Sequence, residues 1–152
     1  MTWLLMSALV ALAGPSQAST AQEALRALTK LRADVSWKSS SGLVADIDCD
    51  ERPEQVFVGR TSGTILIGVV PTTGGKPEVF EFSVGGAQAG VCQEPVSVEM
   101  ESLDFDPDEQ GLFIRSFQQS KSCKGLQFSG VGCDATHLFW NHDEQRLDWW
   151  KR

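Results

Sequence analysis

The sequence predicts an α+β domain, with one N-terminal helix packed on a mainly antiparallel sheet of short strands and disulfides stapling the whole. Three observations point there. Apolar residues recur at helical spacing up to about Ala33 and at strand spacing after it. Turn-forming residues then punctuate the chain at short intervals. Four cysteines, Cys49, Cys92, Cys123 and Cys133, stand in a chain of 152 residues.

The helix has a start signal and a face. Thr20-Ala21-Gln22-Glu23 fits a capping box, in which the threonine hydroxyl and the glutamate side chain satisfy orphan amides of the first turn. Ala21, Ala24, Leu25, Leu28 and Leu31 then recur on one side, with Arg26, Lys30 and Arg32 largely opposite. A helix lying on its own sheet is the expected arrangement.

Strand signals begin after Asp34. Leu43-Val44-Ala45 and Val56-Phe57-Val58 flank an acidic stretch, and Thr64 to Val70 is a continuous run rich in β-branched residues, the mark of a buried strand. Pro71 to Pro77 is a turn, Val79 to Val84 the returning strand, and Gly85 to Gly90 a loop. Val96 to Met100 alternates, and Leu112-Phe113-Ile114 and Leu126-Gln127-Phe128 are shorter candidates. Leu138-Phe139-Trp140, a polar turn at His142 to Gln145, and Leu147 to Trp150 read as a closing hairpin with much aromatic bulk.

Residues Met1 to Ala18 read as a secretory signal. The apolar run Trp3 to Ala13 is too short to span a bilayer, Gly14-Pro15 breaks it, and Ser16-Gln17-Ala18 places small residues where a signal peptidase looks, although no Lys or Arg precedes the run. The remaining segment, 19–152, is then a single exported domain, periplasmic or secreted, with no later stretch of membrane-spanning length. Its formal charge of −7 argues against nucleic acid and anionic membrane surfaces and permits cations or a basic protein partner. In an oxidising compartment four cysteines read as two disulfides with three pairings open; Cys123–Cys133, closing a short loop, and Cys49–Cys92 are favoured.

The densest chemistry lies in Asp46-Ile47-Asp48-Cys49-Asp50-Glu51-Arg52-Pro53-Glu54. Acids at positions 1, 3, 5 and 9 of a tight loop suit a hard, oxygen-seeking cation such as Ca²⁺. With its flanking strands, Leu43 to Val70 resembles a single FG-GAP or VCBS-type repeat, the unit of integrin-like propellers. That unit runs strand, Asp-x-Asp-Gly-Asp-Gly-x-x-Asp loop, strand, turn, strand. The resemblance implies calcium held by the side chains of Asp46, Asp48, Asp50 and Glu54 and by the Arg52 carbonyl. Both loop glycines are replaced, by Cys49 and Glu51, and one unit cannot close a propeller, so it would be a sheet segment inside another small fold.

Other constellations point nowhere as clearly. His137 and His142 fall on opposite faces or ends of one strand, which disfavours a shared metal. Ser62 lacks the spacing of a nucleophile elbow, and Gly74-Gly75-Lys76-Pro77 lacks the hydroxyl of a phosphate loop. Lys121-Ser122-Cys123-Lys124 reads as a solvated loop. Trp140, Trp149 and Trp150 suit core packing ahead of a carbohydrate or peptide groove, with Trp149 and Trp150 on opposite faces. The function expected is that of a non-catalytic binding protein acting through protein–protein contact, inhibitor- or immunity-like, with calcium as a structural ion. The alternatives are a small exported hydrolase using carboxylates from Glu99 to Asp108 or around His142, and a calcium-dependent structural module.

Overall fold

The computed structural model describes residues 17–72, 74–85, 91 and 95–151. The expected signal segment lies outside them up to position 16, as do Cys92 and most of the Gly85 to Gly90 loop. Among the described residues, a helix α1 (Gln17–Leu31) precedes eight strands: β1 (Ser36–Ala45), β2 (Glu54–Thr61), β3 (Thr64–Pro71), β4 (Glu78–Ser83), β5 (Val96–Leu103), β6 (Ser120–Gly130), β7 (Thr136–Asn141) and β8 (Arg146–Lys151). They form two four-stranded antiparallel sheets in sequential order, β1-β2-β3-β4 and β5-β6-β7-β8. No helix among the described residues is long and apolar enough to cross a membrane.

The two sheets pack face to face, and the helix covers the outer face of the first. Val56, Val58, Ile65, Ile67 and Val69 point inward, where they meet Phe82, Leu126, Phe128, Leu138 and Leu147. The alternate residues Phe57 and Val70 point outward, against Ala24 and Leu28 of α1. Burial on both faces explains why β2 and β3 read as continuous apolar runs rather than as alternating ones. Helix and sheet approach closely because Gly59 and Gly68 carry no side chain. A Cβ on Gly68 would lie 2.7 Å from Leu28 Cδ2, and Trp37 lies across both glycines.

Several expectations need correction. The single sheet is two sheets. Helix α1 is described from Gln17 onward, so Thr20 lies within it instead of capping it, and Thr20 Oγ1 accepts a hydrogen bond from Gln55 Nε2 at 2.8 Å. Leu112-Phe113-Ile114 is irregular, and Phe113 is 93% exposed, because this segment crosses the outside of the second sheet without pairing. Lys121 to Lys124 is strand, not loop, carried into β6 by pairing with β5. Neither favoured cysteine pairing occurs: Cys49 is bonded to Cys123, 74 residues away. Sheet packing brings the β1–β2 loop onto β6, a proximity that sequence spacing does not encode. Cys133 is also disulfide-bonded.

Candidate metal centre

The Asp46–Glu54 loop leaves the C-terminal end of β1 at Ala45, reaches β6 of the second sheet and returns as β2. Ile47 is fully buried in the core between the sheets, which fixes the start of the loop. The Asp46 carbonyl accepts a hydrogen bond from Lys124 N at 2.8 Å, and the Cys49–Cys123 disulfide ties the loop covalently to the same strand. Two residues take left-handed backbone, Cys49 at φ 63° and Glu51 at φ 66°. These are the two positions at which the repeat motif carries glycine. A residue with a Cβ costs on the order of 1 kcal/mol more than glycine there.

The structure gathers Asp46, Asp48 and Asp50, each offering an oxygen within 4.8 Å of the others. The loop amides occupy one oxygen of each carboxylate. Asp46 Oδ2 accepts from Glu51 N at 3.2 Å, Asp48 Oδ1 from Asp50 N at 3.2 Å, and Asp50 Oδ1 from Arg52 N at 2.8 Å. The second oxygens remain for another partner. Asp46 Oδ1 is buried without a hydrogen-bond partner, and among the described residues Asp50 Oδ2 meets the Arg52 guanidinium, 3.9 Å away. A buried carboxylate oxygen without a donor is costly, and a cation satisfies it.

Glu54 differs from the sequence expectation. It stands outside the three-carboxylate group and is buried. Its Oε2 accepts from Ile47 N at 2.7 Å and from Asp48 N at 3.3 Å, so it serves first as a brace for the loop. Burial pushes its carboxyl up to about 7, with the Asp48 and Asp46 charges adding to the shift and the backbone bonds opposing it. Burial likewise raises Asp48, aided by the neighbouring Asp50 charge. Arg52 lies on the rim, held to Asp50 through its amide and guanidinium.

The other candidates are dispersed. His137 is on β7 beside Glu101 of β5, whereas His142 lies in the β7–β8 turn, so they share no site. Asp104, Asp106 and Asp108 lie in the segment between β5 and β6, where the Asp104 amide donates to Ser102 Oγ, the Asp108 amide donates to Asp106 Oδ1, and Asp104 Oδ1 accepts from Gln119 Nε2. Trp149 is half exposed and meets Phe82 edge-on, while Trp150 turns to the opposite face of β8, as alternation requires. No protein-family model, curated protein or solved structure matches this chain.

Proposed function

We infer that this chain is an exported, non-catalytic binding domain whose Asp46–Glu54 loop holds a structural calcium ion. The observation that carries the reading is the convergence of Asp46, Asp48 and Asp50, with one oxygen of each engaged by the loop and Asp46 Oδ1 buried without a donor. Hard carboxylate oxygens without nitrogen or sulfur ligands favour Ca²⁺ over transition metals. The Arg52 carbonyl, Glu54 and water complete the coordination in this reading, and the left-handed turns at Cys49 and Glu51 support the likeness to an FG-GAP or VCBS loop. The ion joins the sheets, because the loop it organises leaves the first sheet and is bonded to the second. Partner binding then uses a rigid, acidic domain.

The test is a thermal melt of the oxidised protein with excess Ca²⁺ and with EDTA. Ligand that binds only the folded state raises the melting temperature. The expected outcome is a rise of several degrees with Ca²⁺, absent for Mg²⁺ at the same concentration and lost in Asp48→Ala. Equal melting temperatures in Ca²⁺ and EDTA would overturn the reading.

A further inference from the structure

The outer face of the second sheet carries a cleft of about 540 Å³, far from the covered outer face of the first. Strand register places its floor. His137 of β7 is paired with Gln127 of β6 on one side and with Trp150 of β8 on the other, so all three side chains share one face. Glu101 of β5, opposite Gly125, stands one step along on the same face and reaches His137 over the glycine. Apolar residues on the inner side, Leu126 and Leu138 among them, fill the core, so this outer row is free of the packing between the sheets. Part of the face is covered by Ile114 and Phe117. The cleft is what remains, between Phe105 and Gln110 at one rim and Cys133 to Ala135 at the other.

The row is built as a fixed unit. His137 Nδ1 lies 2.8 Å from Glu101 Oε2, and both side chains are largely buried. The imidazole stacks on the Trp150 indole at 3.9 Å with a 6° angle between the planes. A carboxylate only accepts, so Nδ1 carries the hydrogen, which leaves Nε2 as the ring nitrogen open to a ligand. Nε2 has no hydrogen-bond partner among the described residues. Glu101 Oε1 is buried without a partner in the same wall, an acceptor that an entering donor would satisfy after a small rotation of the carboxylate.

We propose that this cleft binds a neutral, multiply hydroxylated ligand, an oligosaccharide, with a sugar hydroxyl hydrogen-bonded to His137 Nε2. Charge disfavours anions, because Glu101 and Asp134 line the cleft and, among the described residues, neither lysine nor arginine does. The remaining polar lining is carboxamide and hydroxyl: Gln110, Gln127, Ser102 and Ser129. Such groups both donate and accept, which matches sugar hydroxyls, whereas an ammonium ion only donates. Trp150 and Phe105 add the aromatic surface on which the C–H faces of sugar rings pack, and the volume falls within the range of small-molecule sites. No residue of the Asp46–Glu54 loop lines the cleft.

Isothermal titration with cellohexaose, maltohexaose, xylohexaose and chitin hexasaccharide, in Ca²⁺ and again in EDTA, tests the proposal. At least one should bind saturably in both buffers. His137→Phe keeps a ring on Trp150 and removes Nε2, and it should weaken that binding by about tenfold. Gln127→Ala trims a half-buried lining side chain without touching the core and should weaken it severalfold, which keeps the proposal testable should the His137 variant fold poorly. Silence from all four sugars at concentrations of about 10 mM would overturn it. So would unchanged affinity in both variants, or binding of putrescine in place of the sugars.

Discussion

Glu54 shows how a single side chain couples the loop to proton concentration. Its folded carboxyl is raised to about 7 from an ordinary value of 4.5, chiefly by burial. The fold therefore favours the protonated form, and folding takes up a proton between those two values. The stability this group contributes is fully present below about 4.5 and is lost as pH rises through about 7. Glu54→Gln fixes the neutral form and retains an acceptor for the Ile47 amide. In EDTA the melting temperature of this variant, relative to the unmodified protein, should climb by several degrees across that window. Calcium should shrink the climb, because a cation favours the ionised carboxylate. A difference that stays flat with pH would remove Glu54 from the loop's electrostatics.

Among elements, the contact of α1 with the first sheet depends on residues that lack side chains. A Cβ at Gly59 would fall 2.4 Å from Val35 Cγ1 and 2.6 Å from Trp37 Cε3. Gly59 is the direct cross-strand neighbour of Trp37, so the ring lies over the glycine and fills the space beside Leu28. Gly59→Ala should destabilise the domain by about 1–3 kcal/mol in urea denaturation, with the m-value unchanged, because the indole and Val35 must both move within a packed layer. An effect within experimental error would mean that Trp37 is not fixed there. The strand signals themselves were mostly legible. Buried runs such as Thr64 to Val70 announce themselves by composition, whereas Ser36 to Ser41, polar and largely exposed at a sheet edge, offered no apolar pattern to read. Leu112 to Ile114 misled for the converse reason: three apolar residues in a row suit a strand but need a neighbour to pair with.

For the molecule as a whole, the joint between the sheets is the decisive feature. The Cys49–Cys123 bond closes a loop spanning 74 residues, and removing it releases that chain in the unfolded state. Cys49→Ala with Cys123→Ala should cost about 4 kcal/mol by loop closure alone. The same double variant should show a smaller calcium-induced rise in melting temperature, because the loop carrying Asp46, Asp48 and Asp50 loses its covalent anchor. A full calcium response in that variant would show that the loop is shaped by its own hydrogen bonds and needs no anchor.

The sequence by itself determined what is local: the helix, most of the strands, and the acidic loop, whose candidate ligands are near neighbours along one turn. Periodicity and ligand spacing are properties of short segments, and they survive without knowledge of distant residues. Tertiary structure alone decided which strands share a sheet, which cysteines meet, and which groups face one another across the second sheet. Glu101 and His137 are 36 residues apart and become partners only through two successive strand pairings. Such pairings are selected by the burial of two apolar faces together, a collective quantity that no single segment carries.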